Sequence, residues 1–169
     1  MPKISALLHT HNDAPRIGRA LDSLRAFDEV LVIDHGSTDD TVKVARHHGA
    51  SVKEGVPGVN QGVYVVDAHN DWIFCLLPNE SIGEALEASL FEWKDREKEP
   101  PDHEDKEKKA ADNETFAVVV REETDNGCHT LGPQTRLINR KQINWNDALP
   151  PNNSDSIPLE GELLRFTKP

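Results

Sequence analysis

Glu29-Val30-Leu31-Val32-Ile33-Asp34-His35-Gly36-Ser37-Thr38-Asp39-Asp40-Thr41 is the stretch that decides the fold. Between Glu29 and Asp34 runs a β-branched-rich apolar segment without alternation, the pattern of a strand buried on both faces. A turn at Gly36 follows. Ser37 or Thr38 can cap a helix there, Asp39 and Asp40 suit its positive end, and Gly49 can close it. A short strand is expected next, near Ser51 to Lys53. Upstream, Ile4 to His9 reads as a second buried strand. Between the two, Asn12 and Asp13 offer capping oxygens, Pro15 fits a first helical turn, and Ile17, Leu21, Leu24 and Phe27 form a stripe at helical spacing. This βαβαβ rhythm predicts a parallel sheet with right-handed crossovers. Ligands of such sheets bind at the carboxyl ends of the strands, here His9 to His11 and Asp34 to Gly36.

Downstream, Val63, Tyr64, Val65 and Val66 favour a strand by propensity, but their place in the rhythm calls for a crossover helix over Gly62 to Ala68. Trp72 to Leu77 is another buried strand. Ser81 and Glu84 make a capping box before an Ile82, Leu86, Leu90, Trp93 stripe, which predicts a helix covering the sheet. From Lys94 to Glu114 both charge signs mix densely around Pro100-Pro101, the composition of a solvated, flexible connector. Thr115 to Arg121, Thr135 to Arg140 and Leu159 to Phe166 read as three more strands. The organisation expected is therefore an α/β half over 1–94, a charged connector over 95–114, and C-terminal strands over 115–169 completing one domain.

The 169 residues hold 19 Lys plus Arg against 30 Asp plus Glu, a net charge of -11. Such a surplus repels phosphate backbones, and no basic stripe offsets it, so nucleic acid is not an expected partner. No apolar stretch approaches the roughly 20 residues of a membrane span, and Met1-Pro2-Lys3-Ile4 lacks the apolar core of a signal peptide. A cytoplasmic protein without a transmembrane segment is expected. Cys75 sits in an apolar run and Cys128 beside Gly127 in an expected turn; they make neither a metal-spaced pair nor a disulfide framework. No G-x-G-x-x-G follows the first strand, which argues against a dinucleotide fold.

Thr10-His11-Asn12-Asp13, then Val32 to Thr41, then Asn70-Asp71-Trp72, in that order and spacing, resemble the family 2 glycosyltransferases of GT-A fold. The likeness is nearest to bacterial members that transfer sugars onto lipopolysaccharide cores and similar glycans, with their T-x-N-E, V-D-x-G-S-T-D-x-T and G-D-W wording. It covers the first half of the chain well. Arg136 to Arg140, Asn144-Trp145 and Gly161 to Leu164 are similar, more weakly, to that group's closing segment. The resemblance implies a Rossmann-like α/β fold: a mainly parallel sheet with helices on both faces and a few added C-terminal strands. It also implies nucleotide contacts at Thr10, Asn12, Asp13, Asp34 and Gly36, with Asp34 meeting the base or ribose. A carboxylate at a strand terminus can accept hydrogen bonds from pyrimidine N–H or ribose hydroxyls without a metal.

The pattern breaks in the catalytic half. The family holds Mg²⁺ or Mn²⁺ at the donor diphosphate with an Asp-x-Asp motif, and in register this chain reads Leu77-Pro78-Asn79-Glu80. Asn79 and Glu80 are the remaining candidate metal ligands. Gln61-Gly62 stands where the family often has a basic residue and Asn. The family's His-Glu after Trp falls on Pro150-Pro151, and its later His falls on Arg165. Proline offers no side-chain base, so no catalytic residue is assigned. His9, His11 and His35 at the strand ends form an alternative Zn²⁺ or Ni²⁺ set.

The expectation is a degenerate glycosyltransferase that retains binding of a nucleotide, a nucleoside-diphosphate sugar or a partner protein. Two alternatives stand beside it. One is an active inverting transferase, using Mg²⁺ or Mn²⁺, with a nucleoside-diphosphate sugar donor and a saccharide or lipid-linked acceptor. The other is a scaffold domain that self-associates.

Overall fold

The structure is a computed structural model that describes residues 2–96 and 114–168. The charged connector expected over 95–114 lies almost wholly outside the described residues. Five strands and two helices make the first part: β1 (Ile4–Thr10), α1 (Ala14–Asp22), β2 (Glu29–Asp34), α2 (Thr41–His47), β3 (Ser51–Glu54), β4 (Trp72–Leu76) and β5 (Glu80–Ile82). A 3-10 helix, Gln61–Asp67, precedes β4. Then come α3 (Glu84–Arg96), β6 (Phe116–Thr124), β7 (Gly127–Asn139) and β8 (Ile157–Phe166). Eight strands form one sheet in the order β3-β2-β1-β4-β7-β6-β8-β5.

The first four positions of that order are joined in parallel, as the βαβαβ rhythm requires. Antiparallel pairing begins where β4 meets β7, and β6 then joins β7 antiparallel and β8 parallel. The sheet is thus a mixed one, its parallel part carrying the N-terminal strand ends and its antiparallel part closing the fold.

All seven residues of β1 are buried, so both sheet faces are covered there. Ile4, Ala6 and Leu8 point with Val32, Phe74 and Leu76 into one core. That core also takes Ile17, Ala20 and Leu21 of α1, Ala45 of α2, and Leu86, Leu90 and Trp93 of α3. Leu7, Leu31, Ile33, Ile73 and Cys75 face the other way, under Tyr64 and Val65 of the 3-10 helix and Trp145. Here Gly62 is required: a Cβ at that position would lie 1.9 Å from the Trp145 carbonyl oxygen. The helix expected over Gly62 to Ala68 is present as a 3-10 helix over Gln61–Asp67, with Ala68 already extended. The tighter 3-10 winding puts Tyr64 and Val65 inward while Val63 and Val66 stay half or more exposed.

Several local expectations are corrected. Ser81 does not cap a helix; Glu80–Ile82 is strand β5, paired with β8, and α3 begins at Glu84 with Glu87 N–H bonded to the Gly83 carbonyl. The apolar stripe of the first helix outlasts its backbone, since α1 ends at Asp22 and Leu24 and Phe27 reach the core from the turn. Neither Asp13 nor Asp40, the residues at the two N-caps, makes a side-chain capping bond. Ser37 and Thr38 lie upstream of α2 and bond elsewhere.

Lys94 belongs to α3 rather than to a solvated segment. It is 4% exposed, and its ammonium donates to the Ala26 carbonyl and, at 2.7 Å, to Asp28, which also accepts from Ile4 N–H. Cys128 lies on β7, just past the turn, and is exposed; burial of Cys75 pushes its thiol up to about 12. Among the described residues no helix is long and apolar enough to cross a membrane.

Candidate functional site

The carboxyl ends of β1 and β2 are neighbours through the Thr10–Asp34 register, and His35 N–H continues it by donating to the Thr10 carbonyl at 2.9 Å. Asp34 is 7% exposed. Its two carboxylate oxygens accept from Ser37 N–H at 3.0 Å and Ser37 Oγ at 2.5 Å. Both donors are uncharged, and each oxygen keeps a free lone pair. Gly36 takes φ +77, a region open cheaply only to glycine, and no atom lies within 4 Å of where its Cβ would be. The backbone beside Asp34 therefore borders open space.

Asn12 clamps this loop to its neighbour. It sits at φ 53, its N–H donates to Ser37 Oγ at 2.8 Å, and its Oδ1 accepts from Thr38 N–H at 2.8 Å. Thr10 and Asp13 work beneath it. Thr10 Oγ1 donates to Asp13 at 2.7 Å, and the same carboxylate takes His11 N–H at 3.0 Å and Arg16 Nε at 2.6 Å. Both are nearly buried, and these bonds fasten the loop. Asp39 accepts from Thr41 Oγ1 and N–H and from Ala14 N–H; the Thr41 hydroxyl leads in holding its carboxyl below the usual range.

The three histidines do converge, but on each other. His9 Nδ1 and His35 Nε2 are 2.9 Å apart with one proton between them, their rings stacked, while His11 Nδ1 donates to the His35 carbonyl at 2.8 Å. Tyr64 meets both rings edge-on and accepts Val56 N–H at its hydroxyl. Burial, aided by His35, pushes His9 down to about 4, and burial also lowers His35. Among the described residues no group of three or more His, Cys, Asp or Glu is placed to hold a metal ion. The Zn²⁺ or Ni²⁺ set is thus replaced by a neutral hydrogen-bonded pair.

Asn79 and Glu80 are both engaged within the fold. Glu80 is fully buried between Arg136 and Arg165, and the amide of Asn79 donates to the Phe166 carbonyl at 2.9 Å. Sequence reasoning missed Arg136, Arg165 and Tyr64 as parts of the strand-end region. The available signal was an arginine inside the apolar run Thr135 to Ile138. Two clefts lie away from the strand ends. One of about 480 Å³ is lined by Lys3, Glu29 and His69 at the opposite edge of the sheet, and one of about 670 Å³ lies between Gly83, Arg121 and Glu162.

Residues 5–60 match the sequence profile of Glycosyl transferase family 2. A glycosyltransferase of Rickettsia felis, itself uncharacterized, is 41% identical over 94 residues, 53% of this chain and 33% of its own. The Rickettsia prowazekii glycosyltransferase RP128, also uncharacterized, is 36% identical over 94 residues, 53% of this chain and 32% of its own. The chain thus spans about a third of the length of these curated relatives. The crystal structure of S. aureus TarS 1-349 shares the fold at a TM-score of 0.51 and 18% identity, over 74% of this chain and 37% of that one. The clamped Asp34–Ser37 loop and the β1 and β2 strand ends beside it lie within the residues that match the Glycosyl transferase family 2 profile, so the resemblance falls on the part of the chain that carries the candidate site.

Proposed function

We propose that the chain binds the nucleoside end of a nucleoside-diphosphate sugar at the carboxyl ends of β1 and β2, and that its own described residues supply a binding site rather than a complete catalytic one. The observation that carries this is Asp34: a nearly buried carboxylate held by two neutral donors from Ser37, with lone pairs left over and open space beside Gly36. Such an acid can take a base N–H or a ribose hydroxyl pair at little reorganisation cost, since Asn12 already fixes the loop. Asn12 and Gly36 border the same opening and are the remaining contacts proposed. Calorimetric titration with uridine and guanosine diphosphates tests this. Saturable binding weakened about tenfold by Asp34→Asn supports the reading; absence of binding by either nucleotide refutes it.

A second reading is favoured by the relatives' description as glycosyltransferases. In it the chain, as part of a complete enzyme, passes the sugar with inversion to a saccharide or lipid-linked acceptor. Turnover of a donor by the intact protein, lost in Asp34→Ala, would establish it.

A further inference from the structure

Glu80 begins β5, three residues beyond Leu77, in the register where the resemblance to family 2 glycosyltransferases implies metal-binding acids. Five hydrogen bonds reach its carboxylate. Arg136 donates Nη1 to Oε2 at 2.7 Å and Nη2 to Oε1 at 2.8 Å. Arg165, its direct partner across the β5–β8 ladder, donates Nε at 3.1 Å and Nη2 at 2.9 Å, both to Oε1. Leu77 N–H adds a bond to Oε2 at 2.8 Å.

Arg136 arrives there through an irregularity. Phe116 pairs with Leu137 and Ala117 with Thr135, so Arg136 is the extra residue of a bulge on β7, a device that re-aims a side chain. The guanidinium is further fixed by the Cys75 carbonyl at 3.0 Å and Gln134 Oε1 at 2.9 Å, and the residue has no exposed surface.

A divalent cation needs several oxygens with free lone pairs and a negative field. Here the one acid is fully committed, two guanidiniums stand against it, and the next acid, Glu122, already lies 3.9 Å from Arg165 Nη1. Asn79 is turned to Phe166. The residues present do not fit Mg²⁺ or Mn²⁺.

We infer that Arg136 and Arg165 take the place of a divalent cation beside Glu80, so that this tip of the sheet is charge-compensated by the chain itself and ligand binding across it is independent of metal. The statement about the tip rests on the cluster alone; only its extension to nucleotide rests on the proposed function.

The test is titration of the intact protein with Mn²⁺, followed by the electron paramagnetic resonance of the free ion. The expected result is that Mn²⁺ stays free at equimolar protein. A tightly held equivalent that disappears in Glu80→Gln overturns the inference; should that variant fail to fold, loss in Asn79→Ala does so. Uridine diphosphate is then titrated in Mn²⁺ and in EDTA. Affinities equal within about twofold support the inference, and a loss of about tenfold or more in EDTA overturns it. If the nucleotide binds in neither buffer, the proposed function fails while the Mn²⁺ titration still decides the cluster.

Discussion

Asp34 ends β2 and Glu80 begins β5, shortly after β4 in the chain, and their surroundings have made these two acids of one sheet opposites. Asp34 receives two hydrogen bonds, both from the uncharged Ser37. Glu80 receives five, four of them from two guanidiniums. A carboxylate held by neutral donors keeps its charge and half its acceptor capacity for a ligand. One enclosed by arginines has spent both on the fold. Position at a strand end therefore does not make a site; the number and charge of the donors already present decide it.

The sharpest way to break this contrast is Arg136→Met. Removing one partner leaves Glu80 buried with half its compensation, and the expected loss is about 3 to 5 kcal/mol of stability, read from urea denaturation. A loss no larger than that of an exposed substitution would mean that the Glu80 end is not closed by this pair.

At the Asp34 end the expected signature is one of pH. His9 is held at about 4 against 6.5 when unfolded. Between those values the unfolded chain binds a proton that the folded one refuses. Stability from this group is thus full above about pH 6.5 and falls by about 3 kcal/mol as the pH drops towards 4. His9→Gln should flatten that part of the profile, and parallel curves for the two proteins would show that His9 does not carry it.

Asp34→Asn sharpens the contrast from the ligand side. It keeps one oxygen for Ser37 but removes the charge, and should weaken nucleotide binding about tenfold, or about 1.4 kcal/mol, with the fold retained by circular dichroism. The smallest effect is expected at Arg121→Ala. This guanidinium meets Glu162 at 3.6 Å with both side chains over 40% exposed, and its loss should leave the urea midpoint almost unchanged. An effect as large as that at Arg136 would mean that burial is not what separates the two arginine pairs.

The parallel half was legible in the chain because each of its signals is local. Continuous apolar runs mark strands covered on both faces, the stripe from Ile17 onward marks a helix, and Gly49 with φ +82 ends α2 as expected. The helix starts were less legible. Asn12, Asp13, Ser37 and Asp39 are the right residue types for caps, but two adjacent loops compete for the same oxygens, and the cross-loop bonds prevail. Ser81 was misread for a related reason: a three-residue strand has no periodicity of its own, and β5 exists because β8 lies beside it.

The order of residues by itself determined the strand–helix alternation, the acid at the end of β2 and the resemblance to glycosyl transferase family 2, since these follow from spacing along the backbone. Only the tertiary structure decided what each acid is free to do. Arg136 and Arg165 lie 56 and 85 positions from Glu80, and the three are brought together by a bulge on one strand and the register of another. The energy of a buried charge depends on the donors around it in space, and those donors were assembled by folding.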